Sequence, residues 1–133
     1  MKIAIVDDNC AIRKTLRTGI ETHTDWEICG EAENGEAAVA LVQATKPDLV
    51  VLDLSMPLLN GLEAARQVRA IAPATGMVLF TNYASPELTT LATSVGISAV
   101  ISKDSTDVVI HLIEALRKAT RAGGPAVLRD QLK

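Results

Sequence analysis

A chain of 133 residues is long enough to bury one core without a disulfide or metal staple, and too short for two ordinary domains. Its 48% apolar and 22% charged residues exclude a disordered chain. Only 2% of residues are aromatic (Trp26, Phe80, Tyr83), and 13 Lys and Arg stand against 16 Asp and Glu for a net charge of −3, so the domain lacks both a stacking platform and a basic footprint for nucleic acid.

Ile3-Ala4-Ile5-Val6 predicts a first strand, followed at once by Asp7-Asp8. That apolar stretch is too short for a signal-peptide core. Cys10 and Cys29 make no metal spacing and are expected to be reduced thiols in a cytosolic protein. Trp26 to Ala32 predicts a weaker second strand. Asn34-Gly35-Glu36 then opens a helix with a capping residue and an early acid, and Lys46-Pro47 ends it. The apolar run Ala37 to Val42 inside that helix is far below membrane-spanning length.

Leu49-Val50-Val51-Leu52 shows no alternation and predicts a strand buried on both faces. Met77 to Phe80 and Ala99 to Ile101 complete five strands. Ser85-Pro86-Glu87 places a cap, a proline and an acid at a helix start, and Gly96 is suited to a left-handed stop. Ser105 is read as the cap of a last helix whose Val109, Leu112, Ile113 and Leu116 form one stripe. After Arg121 the pattern fades into Ala122-Gly123-Gly124-Pro125, which suits either a frayed end or the start of a linker.

The strands start near Lys2, Trp26, Asp48, Gly76 and Ser98, so each interval holds one strand, one helix and two short loops. This spacing predicts βα units and a parallel sheet. The expected fold is α/β, a doubly wound, five-stranded parallel sheet, flavodoxin-like (βα)5, taken in the flavodoxin-like strand order 2-1-3-4-5. In such a sheet the site lies beyond the carboxyl ends of the strands. There stand Asp7 and Asp8 after the first strand, Asp53 after the third, Thr81 ending the fourth and Lys103 after the fifth. Strands one and three would be neighbours about 4.8 Å apart, crowding three carboxylates into one pocket.

Such charges repel unless a cation offsets them, and hard carboxylate oxygens suit Mg²⁺. One Asp53 oxygen could remain free to attack phosphorus and form an aspartyl-phosphate. The transferred group would call for a metal, a cation such as Lys103 and a hydroxyl such as Thr81. Each piece alone has an ordinary reading: a helix cap, a turn acid, a strand-end threonine, a solvated lysine. Their joint occurrence at the ends of different strands departs from that reading.

The run Pro47-Asp48-Leu49-Val50-Val51-Leu52-Asp53-Leu54-Ser55-Met56-Pro57, with Asn60-Gly61-Leu62-Glu63 behind it, resembles the phosphoacceptor segment of response-regulator receiver domains. Val6-Asp7-Asp8, Asn34-Gly35-Glu36-Ala37-Ala38, Phe80-Thr81 and Lys103-Asp104 occur in the matching order. The likeness covers residues 2 to about 121, so that 1–121 would be the receiver and 122–133 a tail or the start of a linker. Lys103-Asp104-Ser105 and the glycine-rich tail are most similar to the NarL/LuxR-type subfamily, in which a receiver precedes a helix-turn-helix domain that binds DNA. That output domain would be missing here.

The resemblance implies that Asp53 accepts a phosphoryl group from a histidine kinase. It implies that Mg²⁺ is held by Asp8 and Asp53, by the backbone carbonyl of Ser55, and by Asp7 through water. Thr81 would hydrogen-bond one phosphoryl oxygen and Lys103 would pair with another, repacking the face formed by the fourth helix, fifth strand and fifth helix. Such a module catalyses only its own phosphorylation and dephosphorylation, works in the cytoplasm, and would reach DNA only through the output domain. Homodimerisation on phosphorylation is expected from the apolar Val108 and Ile110 beside the last helix's stripe.

The sequence departs from the family pattern at Val100, where an aromatic is usual, at Asn82, where a small residue is usual, and at Asp104, where proline is common. Tyr83 reads as a surface-loop residue rather than a substitute aromatic. The alternative function is a pseudo-receiver, a binding or dimerisation module that takes no phosphate. A phosphatase would need an acid where Ser55 stands, and neither nucleotide-binding glycine motif is present. His23 and His111 lack partners at ligand spacing, Cys10 reads as a packed small hydrophobe, and Trp26 as cover for a core edge.

Overall fold

A computed structural model of the chain describes residues 1–56, 59–104 and 107–119. Strands and helices alternate: β1 (Lys2–Val6), α1 (Cys10–His23), β2 (Glu27–Ala32), α2 (Gly35–Thr45), β3 (Leu49–Leu52), α3 (Gly61–Ile71), β4 (Gly76–Thr81), α4 (Pro86–Ser94), β5 (Ala99–Ser102) and α5 (Val108–Lys118). The strands pair in parallel, as the strand spacing predicts, and their order is the expected flavodoxin-like one, β2-β1-β3-β4-β5.

Period-two alternation divides the strand side chains between two cores. Ala4, Val6, Val50, Leu52, Met77 and Leu79 face α2, α3 and α4, where Val42, Val68 and Leu88 cover them. Ile3, Ile5, Leu49, Val51, Val78 and Phe80 face α1 and α5, against Leu16, Ile20, Leu112 and Leu116. This explains the unbroken apolar runs of β3 and β4, every residue of which is buried.

Local chemistry sets the helix starts. The side chains of Asn9, Asn34, Asn60 and Ser85 accept the backbone N–H groups of Ile12, Ala37, Glu63 and Leu88. Each cap satisfies a donor that the first helical turn leaves unpaired. Lys46 closes α2 in the left-handed region (φ 47°) just before Pro47, and Gly96 adopts φ 93° two residues past the end of α4. The start of α5 differs from expectation. Ser105 lies outside the described residues, and the position before Val108 is taken by Asp107, left-handed (φ 54°) and without a side-chain capping bond. Its predicted stripe holds, with Leu112, Ile113 and Leu116 buried and Val109 packed beside them.

Because every strand runs the same way, all five carboxyl ends emerge on one rim. The loops after β1, β3, β4 and β5 therefore share a single neighbourhood.

Candidate functional site

Register places the acids. Val6 lies opposite Leu52, so the next residues, Asp7 and Asp53, leave neighbouring strands at one level. The Asp53 N–H donates to the Val6 carbonyl at 2.9 Å and the Asp7 N–H to the Ala32 carbonyl at 3.0 Å, extending the sheet one step into the rim. Asp7, Asp8 and Asp53 each offer a carboxylate oxygen, all within 4.8 Å of one another. Asp7 is 1% exposed, Asp53 5%, and Asp8 is exposed, so the trio is a buried pair with one open member.

Lys103 reaches this group from β5. Its backbone N–H donates to the Thr81 carbonyl at 2.9 Å, which anchors the residue beside the end of β4. Its ammonium lies 2.8 Å from Asp7 Oδ2 and donates a hydrogen bond to Asp53 Oδ1 at 3.1 Å, with the face of Phe80 5.6 Å below. Burial and then the neighbouring Asp7 push the Asp53 carboxyl above its ordinary range; Lys103 pulls it back only in part, and Asp8 adds to the rise. Burial opposes the charge of Lys103, but Asp7 and Asp53 outweigh that effect and hold the ammonium above the usual lysine value.

Thr81 is wholly buried, and its Oγ1 accepts the Tyr83 N–H at 3.0 Å. That bond occupies an acceptor and leaves the hydroxyl proton available as a donor. Ser55 is exposed in the bend two residues beyond Asp53. Behind that bend, the Gly61 N–H donates to the Leu54 carbonyl at 2.9 Å, and a Cβ at Gly61 would drive into the carbonyl oxygen of Asp53. Glycine at this position is a requirement of close backbone approach.

The fit of these donors to a metal turns on one atom. Asp7 Oδ2 is buried, and its one partner among the described residues is the Lys103 ammonium 2.8 Å away, an ion pair that the same ammonium also makes with Asp53. Three acids against one lysine leave two formal negative charges at the site. Hard oxygen donors, a net negative charge and one open carboxylate fit a divalent cation of the Mg²⁺ kind.

A profile of the response regulator receiver domain matches residues 3–116. The chain belongs to the response-regulator receiver family. This receiver is 33% identical to the transcriptional regulatory protein YdfI of Bacillus subtilis over 129 residues, 96% of this chain and 60% of that protein. It is also 33% identical to the uncharacterized transcriptional regulatory protein YxjL of the same species, over 97% of this chain and 57% of that protein. The chain thus spans less than two thirds of the length of these relatives.

Among solved structures, the receiver superposes on the response regulator domain of Thermotoga maritima CheB with TM-score 0.86 and 28% identity, covering 91% of this chain and 96% of that one. A LuxR-family two-component response regulator from Aurantimonas sp. SI85-9A1 gives TM-score 0.86 and 26% identity, covering 99% and 98%. Receivers are the signalling modules of two-component systems, and phosphorylation-dependent switching is typical of them. They are mostly non-enzymatic, and bind Mg²⁺ at an acidic pocket.

Val100 is half-buried in β5, opposite Leu79 and packed on the α2–α3–α4 core, while Asn82 and Asp104 are exposed. Tyr83 is 64% exposed, a loop residue as read. Trp26 packs on the α1–α5 core with the Arg117 guanidinium 5.1 Å from its ring. His23 and His111 are exposed on α1 and α5. Cys10 is a correction: as the first residue of α1 it points to solvent, because the stripe of that helix falls on Leu16 and Ile20 instead. One residue beside the site escaped the sequence reading. Arg13 donates through Nη1 to the Asp7 carbonyl at 2.6 Å, and a backbone acceptor leaves no mark in a sequence.

Proposed function

We propose that this receiver is a phosphorylation-dependent switch of a two-component system, in which Asp53 takes a phosphoryl group from the phosphohistidine of a histidine kinase. An Asp53 carboxylate oxygen attacks phosphorus, the O–P bond forms, the N–P bond of the phosphohistidine breaks, and the imidazole nitrogen keeps the electron pair. Asp8 and Asp53, the Ser55 carbonyl, and Asp7 through water would hold Mg²⁺. When bound, the ion supplies the positive charge that the trio lacks and offsets charge on the phosphoryl oxygens.

The observation that carries this reading is the placement of Lys103, whose ammonium already bridges Asp7 and Asp53 at 2.8 and 3.1 Å. With a phosphoryl group on Asp53, the same ammonium pairs with one of its oxygens, and the Thr81 hydroxyl proton donates to another. Drawing Thr81 toward the phosphate shifts its tie to Tyr83, at the mouth of the β4–α4 loop. That displacement is the local event by which a two-state face of α4, β5 and α5 is biased. With Val100 in β5, the readout on this face works without the aromatic that usually follows the threonine.

The domain reading is 1–121 as the receiver, with 122–133 as a tail or linker toward an output domain of the kind the transcriptional relatives suggest. Control of transcription would then run through that domain, with homodimerisation on phosphorylation. Residues 120–133 lie outside the described residues. The setting is cytoplasmic, and no helix among the described residues is long and apolar enough to cross a membrane. Catalysis extends only to the receiver's own phosphorylation and dephosphorylation.

Acetyl phosphate with Mg²⁺ is expected to add one phosphoryl group by intact mass, and Asp53→Asn to abolish the adduct. A wild-type chain that takes no phosphate under these conditions returns the chain to the pseudo-receiver reading, and an adduct that survives the substitution removes Asp53 as the acceptor.

A further inference from the structure

Arg13 sits in the second turn of α1 and is 15% exposed, with its guanidinium making bonds in two directions. Nη1 donates to the Asp7 carbonyl at 2.6 Å, and Nε to Glu31 Oε1 at 3.0 Å. Glu31 lies in β2 opposite Ile5, and its other oxygen accepts Arg17 Nε at 2.7 Å. The planar fork of the guanidinium holds a carbonyl and a carboxylate in one fixed relative geometry, which a freely rotating ammonium does not impose.

The gripped oxygen belongs to the peptide group that joins Asp7 to Asp8. A peptide group is planar, so holding its oxygen sets the plane from which the Cα of Asp8 departs. The other restraints on this turn act on its flanks. The Asp7 N–H is tied to the Ala32 carbonyl, and the Asn9 N–H donates to Asp7 Oδ1 at 2.9 Å. Asp8 is the exposed member of the trio.

We infer that Arg13 is a positioning residue: it fixes the Asp7–Asp8 peptide, and with it the direction in which the Asp8 carboxylate meets a divalent cation, while Glu31 holds the other edge of the guanidinium toward β2. This rests on reading the trio as a cation site. Electrostatics alone argues the other way, because a cation beside three acids opposes a second cation, and removing it tightens binding. Geometry predicts loss and charge predicts gain, so the sign of the effect decides.

The test is a Mg²⁺ titration followed by the amide NMR shifts of Asp8 and Asn9 in the isotope-labelled chain. Arg13→Met, which keeps the apolar stem and loses the fork, is expected to weaken Mg²⁺ binding about 10-fold, the scale of an outer-shell ligand partner. Arg13→Lys, which keeps the charge, is expected to weaken it similarly. Arg17→Met breaks the same glutamate network without touching the Asp7 carbonyl, and its dissociation constant should stay within about twofold of wild type. Unchanged or tighter binding in Arg13→Met overturns the inference. So does an equal loss in Arg17→Met, which would locate the effect in the α1–β2 tie. Should Arg13→Met lose its fold by circular dichroism, Arg13→Lys decides, and wild-type affinity there is the overturning result. The underlying site is checked separately: a wild-type chain without Mg²⁺-dependent shifts, or an Asp8→Asn chain that binds as wild type does, removes the cation reading itself.

Discussion

The two ends of the sheet are built from similar polar residues and treat them in opposite ways. At the amino end Asp48 Oδ2 accepts the Lys2 N–H at 2.7 Å, the Lys2 ammonium donates to the Thr45 carbonyl at 2.6 Å, and Thr75 Oγ1 donates to the Pro47 carbonyl at 3.0 Å. Both of these charged side chains have a partner of opposite polarity. At the carboxyl end Asp53 is buried against Asp7, the one partner of Asp7 Oδ2 among the described residues is the Lys103 ammonium, and that single lysine serves two acids. One end is arranged for stability. The other holds unresolved charge, the state a site requires if a cation and a phosphoryl group are to have somewhere favourable to bind.

The sharpest way to test that contrast is to remove the lysine. Lys103→Met leaves the buried acids uncompensated and should cost about 3 kcal/mol in denaturant unfolding without divalent ions. Adding Mg²⁺ should return part of that loss by mass action. A variant as stable as wild type without metal would show that the acids do not repel as argued.

A smaller effect is expected of Gly61→Ala, where the new methyl meets the Asp53 carbonyl rather than a yielding side chain. Stability should fall by about 1–3 kcal/mol, and phosphoryl uptake from acetyl phosphate should fall with it.

Asp53→Asn should move the other way. It removes one of the like charges and keeps an oxygen for Lys103, so the metal-free chain should melt about 2–5 °C higher. The pH dependence follows from the raised carboxyl of Asp53. The folded state binds this proton more tightly than the unfolded chain does, so stability falls as pH rises from the ordinary carboxylate value to the raised folded value. Above that window the penalty is constant. Glu31 has the opposite sign. Burial opposes its charge, yet Arg17 and Arg13 hold it below the ordinary range, and its contribution, complete above the ordinary value, is lost as pH falls through the folded one. Subtracting the pH profile of Asp53→Asn from that of wild type should therefore leave a curve that favours wild type on acidification. A flat difference would mean that Asp53 carries no charge penalty.

The smallest change is expected at the amino end. Asp48→Asn keeps an acceptor for the Lys2 N–H, and should cost at most about 1 kcal/mol without altering phosphoryl uptake.

Apolar runs without alternation, asparagine and serine caps, and the proline and glycine stops determined the five strands, the helices between them and the parallel sheet. These are local signals, and nearest-neighbour physics writes them directly into the order of residues. The candidate site was legible for the same reason. In a parallel sheet all strand ends share one rim, so residues following strands are neighbours whatever their separation along the chain. Tertiary packing alone decided which acid is buried and which is open, since Asp7 and Asp8 are adjacent and identical in type. It also decided that Cys10 faces solvent, and that Arg13 reaches back to the Asp7 carbonyl. Burial and backbone hydrogen bonding depend on what other elements bring near, and no run of neighbouring residues encodes them.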